Sequence, residues 1–379
     1  MSPKVTFVVP CYRLAHLLPD CVGSILAQTF SDFEVLVMDD CSPDQTANVT
    51  ATLRDTRVKH VRNETNLGHL RNYNKGIELA RGEYIWLISA DDQLRRPYIL
   101  ERYLKLMDRN PNAGYACCPA MGLQNGRETS VQKYSVHGDR NIIFNGREFF
   151  IRLLSGNSVI AASGMVRRKC YDQLGKFPLD MPFAADWYLW CLFALHFDVA
   201  YFSEPMVHYR QHELSMTTAF HENDPRVCTS DDIRALWRVK LAADQAGYPH
   251  LADIVEFHAI DRCALFLSTP STPGSGVSYT LEDFQQDLND NVSAPDQRAR
   301  VASRVYSKAA DEYFWRNQFS EALAFYELSL KHDPLRPKVR VQYALLRAGT
   351  VGIRIRKAQF AVRHLIRTET RANNRWRIT

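Results

Sequence analysis

Residues 1–120 alternate short apolar runs with stretches of helical spacing. Residues 4–10 are β-branched and apolar and end at proline, which predicts a first strand. From 17 to 28, Leu18, Cys21, Val22, Ile25 and Leu26 recur on one helical face. Residues 33–38 predict a second buried strand, followed by turn chemistry in Asp39-Asp40-Cys41-Ser42-Pro43-Asp44. A helix over 45–54, a short strand over 58–62 and a helix over 70–80 closed by Gly82 come next. Residues 84–89 read as another buried strand, ending at Ala90-Asp91-Asp92. Strands alternating with helices predict an α/β fold, a mostly parallel sheet flanked by helices on both faces.

Beyond residue 120 the pattern changes. Residues 124–139 predict a loop or hairpin, 146–154 a helix, 163–166 a strand and 186–194 an aromatic-rich helix. Residues 228–267 look helical, 268–278 (STPSTPGSGVS) form a linker or exposed loop, and the remainder is helical. The expected organisation is an α/β domain over 1–220, a helical segment over 221–267, the linker, and a helical region over 279–379. In that last region Tyr306, Ala309, Ala310, Tyr313, Ala322, Tyr326, Ser329 and Pro334 fall at tetratricopeptide-like spacings. One such repeat reads plainly as a helical hairpin. The sharper reading makes it a partner or dimer surface.

Composition narrows the class. Apolar residues are 46% and charged residues 23%, which excludes wholesale disorder. No apolar run approaches the roughly 20 residues of a membrane span. The N-terminus lacks a signal peptide's regions, so a cytoplasmic protein is expected. The nine cysteines contain no Cys-x-x-Cys pair, so they read as reduced thiols rather than a zinc or redox motif. The net charge of +5 is unevenly placed: residues 336–379 hold 12 Lys/Arg and one acid, leaving 35 basic and 41 acidic groups in 1–335. Apolar residues mixed with many arginines in that tail suit an anionic membrane surface, peripheral at its inner face. No nucleic-acid-binding motif accompanies the charge, and nucleic acid is not an expected partner.

In open α/β sheets ligands bind beyond the carboxyl ends of strands. Three such ends here carry Tyr12, Asp39-Asp40 and Asp91-Asp92. An Asp just past a strand can accept from a nucleobase N–H, although taken alone it is as readily a turn or cap residue. Two adjacent carboxylates after a buried strand repel unless a cation lies there, and a hard divalent ion bridging a diphosphate would meet that need.

The runs VTFVVPCYR, FEVLVMDDCSPDQT and NLGHLRNYNKGIELARGEYIWLISADD resemble the inverting family 2 glycosyltransferases of GT-A fold. The resemblance covers roughly residues 3–218. It implies that Pro10 and Tyr12 line a base pocket, that Asp39 accepts from the base imide, and that Arg71 lies near the diphosphate or base. It implies ribose binding by Asp91 and metal binding by Asp92, with manganese or magnesium as the cation. Ser89 stands where many members carry a first carboxylate, a departure that weakens the case for strict metal dependence. Ser163 and Gly164 resemble the family's small-residue loop near the donor sugar. Asp186, opening the 186–194 helix, matches the family's general base, with Asp180 as runner-up. His212 is the implied C-terminal metal ligand, His208 its competitor, and Arg210 would face the diphosphate.

The resemblance implies transfer of a hexosyl or N-acetylhexosaminyl group from a nucleotide sugar, a UDP-sugar foremost. The acceptor would be a saccharide or lipid-linked hydroxyl in polysaccharide or glycoconjugate synthesis. Two other classes stand beside it. One keeps the fold as a catalytically weak nucleotide-sugar-binding or scaffold protein. The other is a nucleotidyltransferase, which would want a Gly-rich, Lys-bearing phosphate loop where this chain has CYRLAHLLPD.

Overall fold

The computed structural model describes residues 2–210, 212, 215–269 and 279–359. The chain divides into two compact units, Met1–Glu256 and Phe257–Thr379. That division falls inside the segment read from sequence as 221–267.

The first unit runs β1 (Val5–Cys11), α1 (Leu18–Leu26), β2 (Phe33–Asp39), α2 (Thr46–Thr52), β3 (Val58–Arg62), α3 (His69–Leu79), β4 (Tyr84–Leu87), β5 (Gln93–Leu94) and α4 (Ile99–Arg109). It continues with β6 (Ala113–Cys117), β7 (Ala120–Gln124), β8 (Arg127–Val131), β9 (Ile142–Phe144), α5 (Gly146–Leu153), β10 (Met165–Arg167) and α6 (Arg168–Leu174). Then follow α7 (Ala185–His196), β11 (Asp198–Tyr201), β12 (Val207–Arg210), α8 (Met216–Asn223) and α9 (Pro225–Gln245).

An eight-stranded sheet has the order β3-β2-β1-β4-β10-β6-β11-β9. β1 pairs in parallel with β2 and β4, and β2 with β3. Their carboxyl ends therefore open on one edge, and the Asp39-Asp40 and Asp91-Asp92 loops leave from it. Beyond β4 the direction reverses, because β10 runs antiparallel to both β4 and β6. A second sheet, β5-β12-β7-β8, was not visible in the hydrophobic pattern. Its strands are short or half-polar, as in the Val207–Arg210 run of β12. The 124–139 stretch expected as loop or hairpin folds as the β7–β8 hairpin, turned by Asn125 and Gly126 at positive φ, followed by a 3-10 turn, Lys133–Ser135.

The core beneath the sheet contains a run of packed rings: Phe7–Trp86 stacked at 5.5 Å, Trp86–Tyr103 tilted at 4.5 Å and Tyr103–Phe202 stacked at 4.6 Å between centroids. Stacked aromatics bury large areas with fixed geometry. Trp86 also donates its Nε1–H to the Ala162 carbonyl at 2.8 Å, which ties the 161–163 turn to the sheet. The helical segment expected over 228–267 is two helices, because Gly247 (φ 78) ends α9 in the left-handed conformation. The next helix, α10 (Pro249–Ser268), contains the boundary between units.

The second unit contains α11 (Leu281–Asn291), α12 (Pro295–Trp315), α13 (Phe319–His332) and α14 (Pro337–Arg347). The small residues noted in the sequence do the work their size allows. Ala309, Ala310 and Ala322 are fully buried, and the Ser303 and Ser329 hydroxyls meet at 3.0 Å across α12 and α13. Pro334 is exposed in the turn before α14. Residues 270–278 of the expected linker, and the tail positions Phe360, Val362, Leu365 and Ile366, lie outside the described residues. Among the described residues no helix is long and apolar enough to cross a membrane.

Candidate active site

A cavity of about 320 Å³ opens at the sheet edge. Its wall includes Asp91 and Asp92 from the loop after β4, Tyr209 and Arg210 from β12, Ala161 and Ala162 from the 3-10 turn, and Asp186 from α7. Tyr73, Tyr134, Phe177, Phe183 and Phe220 supply an aromatic part of its wall.

Both carboxylates of the Asp91-Asp92 pair are largely buried. Asp91 Oδ2 accepts a hydrogen bond from His212 Nε2 at 3.0 Å, a contact between residues far apart in the chain. Its Oδ1 is buried with no donor in hydrogen-bond geometry among the described residues. Burial raises the Asp91 carboxyl, but His212 and Ser89 outweigh it and hold it below its ordinary range. Asp92 Oδ1 accepts from the Arg210 backbone N–H at 3.0 Å, and the Arg210 Nε donates to the Asp91 carbonyl at 2.9 Å. Burial, and next the charge of Asp91, push the Asp92 carboxyl well above its usual range.

This donor set fits a hard divalent cation. One buried carboxylate has an oxygen without a donor, and its neighbour is driven toward the neutral form by burial and then by a like charge. Among the described residues no three His, Cys, Asp or Glu side chains converge on a ready metal cage. The protein would hold such an ion by these carboxylates, leaving its other positions open to water.

Asp186 lies in the first turn of α7. Asn157 Nδ2 donates to its Oδ2 at 2.9 Å, and the Trp187 backbone N–H lies 2.7 Å from its Oδ1. Burial raises the carboxyl to about 6, against the hydrogen bonds from Trp187 and Asn157. The chain before it is clamped from α9: Asp231, itself buried, accepts the Phe183 backbone N–H at 2.7 Å. The runner-up, Asp180, is not on the cavity wall and pairs with Arg238.

At the carboxyl end of β2, away from the cavity wall, Asp39 is fully buried. Its Oδ1 accepts the Ser42 N–H at 2.8 Å, and its Oδ2 meets Arg62 at 2.6 Å and His60 at 3.1 Å. Burial opposes ionisation there, but Ser42, His60 and Arg62 together lower the carboxyl below its ordinary value. Asp40 instead pins the loop before α3, accepting from Asn63, Leu67 and Gly68. Pro10 is buried in β1, and its carbonyl accepts the Ala90 N–H at 3.1 Å, joining the first strand to the carboxylate loop. Tyr12, 40% exposed, lies under the Arg13 guanidinium at 5.1 Å.

Like Asp39, Pro10 and Tyr12, other expected residues fall away from the cavity wall. Arg71 is exposed on α3. Ser163 is fully buried and spends its hydroxyl on the Ile160 carbonyl at 2.8 Å. At Gly164 a Cβ would come within 2.4 Å of Trp190 Cη2, so its smallness serves ring packing; Ala161 and Ala162, just before it, meet the cavity. His208 is taken up by Glu128 at 2.9 Å and leaves His212 as the histidine beside the carboxylates. Asn157, Asp231 and Tyr134 were not singled out from the sequence. Asn157 follows Gly156 in a short polar loop, a signal too common to distinguish.

An α/β sheet with a carboxylate pair at its reversal point and a second carboxylate across a cavity is a GT-A type architecture. Residues 6–175 match the family described as glycosyl transferase family 2, so the resemblance carried by the sequence stands. Glycosyltransferase GlyG of Streptococcus pneumoniae is 31% identical over 112 residues, 29% of this chain and 37% of that protein. Succinoglycan biosynthesis protein ExoO of Rhizobium meliloti is 37% identical over 112 residues, 30% of this chain and 31% of that protein. GalNAc(5)-diNAcBac-PP-undecaprenol beta-1,3-glucosyltransferase of Campylobacter jejuni is 34% identical over 117 residues, 30% of this chain and 36% of that protein. The chain thus spans about a third of the length of these relatives. Among solved structures, S. aureus TarS 1-349 in complex with UDP-GlcNAc shares the fold with a TM-score of 0.58 at 19% identity, over 85% of this chain and 89% of that one.

Proposed function

We propose that the protein is an inverting glycosyltransferase that moves a sugar from a UDP-sugar to a hydroxyl of a saccharide or lipid-linked acceptor. The observation that carries this reading is one cavity walled by both the Asp91-Asp92 pair and Asp186. The fold neighbour TarS is known with UDP and with UDP-GlcNAc, which supports a UDP-sugar donor. The names of the Rhizobium and Campylobacter relatives support a glycoconjugate product and a lipid-linked acceptor.

In this reading Asp39, held ionised by Ser42, His60 and Arg62, accepts the base imide N–H, with Pro10 and Tyr12 at the neighbouring end of β1. Asp91, oriented by His212, takes the ribose. Asp92 and the donor-free edge of Asp91 would hold manganese or magnesium, which when bound supplies positive charge to the departing nucleoside diphosphate. Arg210 is fixed against the Asp91-Asp92 backbone and brings a second positive charge to the same end. Asp186 removes the proton from the acceptor hydroxyl as that oxygen attacks the anomeric carbon from the opposite face. The aromatic wall excludes water from the reacting centre. The basic tail holds the enzyme peripherally at an anionic membrane face, where lipid-linked acceptors are found.

The test is calorimetric titration with UDP, GDP, CDP and dTDP, each with manganese and with chelator, followed by product analysis on the matching nucleotide sugar. Selective, manganese-enhanced UDP binding and release of nucleoside diphosphate are expected. Failure of all four to bind would overturn the reading. Release of pyrophosphate would point to nucleotidyl transfer.

A further inference from the structure

We propose that Asn157 is a positioning residue that fixes the Asp186 carboxylate in one orientation against the cavity. The proposal rests on Asp186 being the base. Three contacts determine which way the Asn157 amide points and hold it there. Its Oδ1 accepts the Val159 backbone N–H at 3.2 Å, so its Nδ2 must be the group facing Asp186, and there it donates at 2.9 Å. The loop is itself anchored, because the Ser158 carbonyl meets His137 Nε2 at 3.1 Å. Gly156, at φ 146, supplies the backbone turn that brings Asn157 to the cavity. With Trp187 N–H at the other oxygen, both oxygens of Asp186 are held by donors from two separate segments.

A donor on a carboxylate favours its ionised form and restricts its rotation. Among the described residues no cation pairs with Asp186: the titratable groups facing it are the Tyr73 and Tyr134 phenols and the Cys191 thiol, all raised chiefly by burial. Asp91, Asp92, Asp232 and Arg210 share the cavity wall. The Asn157 amide is therefore the side-chain hydrogen bond that favours the charged form of this carboxylate.

The first readout needs no substrate. Thermal unfolding is followed against pH for the full chain, Asn157→Ala, Asp186→Asn and the double variant. The Asp186 titration, taken as the difference between each Asp186 protein and its Asp186→Asn partner, should move alkaline by about one pH unit in the Asn157→Ala background. Asn157→Asp, nearly isosteric, should move it further. No movement in either variant overturns the proposal. The second readout is UDP release from the UDP-sugar that the titrations select. The ascending limb of kcat should follow the same shift, giving about an eightfold loss near pH 5.5 and less than twofold near pH 8.5, with KM unchanged. A loss equal at every pH overturns the proposal as a merely structural effect. Full activity in Asp186→Asn would instead remove Asp186 as the base, and is read separately from the titration.

Discussion

His212 Nε2 lies 3.0 Å from Asp91 Oδ2, so the histidine after β12, expected to join Asp92 on a metal, meets the neighbouring carboxylate. If Asp91 takes the ribose as proposed, a histidine that orients it acts on the donor whether or not a cation is bound. His212→Ala should therefore lower UDP affinity about tenfold both with manganese and with chelator. Asp92→Asn should remove only the manganese-dependent part. Calorimetry on the two variants separates these roles. Loss confined to manganese in His212→Ala would return the histidine to the metal.

Asp186 supplies a prediction about stability. Burial lifts its carboxyl to about 6, whereas an unfolded Asp titrates near about 3.9. Between those values the folded chain binds more protons than the unfolded chain. Stability must fall as pH rises through that window and level off above it. Asp231, also raised to about 6 by burial, contributes the same slope. Because Asp231 is present in both proteins, the Tm of Asp186→Asn relative to the parent isolates Asp186. That difference should grow from about pH 4 to about pH 7. A constant difference would mean that the carboxyl is not raised.

The parallel half of the sheet was legible in the chain because β1, β2 and β4 are buried on both faces and read as nearly continuous apolar runs, broken only by Thr6, Glu34 and the terminal Asp39. Their ends brought Asp39, Asp91 and Asp92 into view from the sequence alone. β6 and β12 were hidden for opposite reasons: one is interrupted by Gly114, the other is half-buried and polar. The helical break at Gly247 depends on a backbone angle, and an isolated glycine does not announce one. What no local pattern holds is the contact between distant residues. The His212–Asp91 and Asn157–Asp186 pairs exist only once β12 and the 155–160 loop are placed. Gly164 shows the same limit, since its small size was visible and its neighbour Trp190 was not.

Gly164 gives a direct check on that point. A methyl there would lie 2.4 and 2.9 Å from two carbons of the buried Trp190 indole. Overpacking of this kind costs about 1–3 kcal/mol. Gly164→Ala should lower the urea midpoint accordingly and leave UDP affinity within about twofold of the parent. Unchanged stability with weakened UDP binding would put Gly164 at the donor instead.

The last prediction concerns the cationic end of the chain. Within its described part, Arg340, Arg347, Arg354 and Lys357 are exposed alongside Val341, Val351 and Ile355, and residues 336–359 contain no acid. Exposed valine and isoleucine among arginines suit the boundary between lipid headgroups and acyl chains. The protein should sediment with vesicles containing phosphatidylglycerol and remain in solution with phosphatidylcholine alone. Raising salt to about 0.5 M should weaken the association, because each basic side chain near such a surface contributes about 1 kcal/mol and is screened. Replacing Arg340, Arg347 and Arg354 together by Gln should lower the partition coefficient on the order of 100-fold. Equal binding to neutral vesicles, or indifference to salt, would show that charge does not hold the protein there.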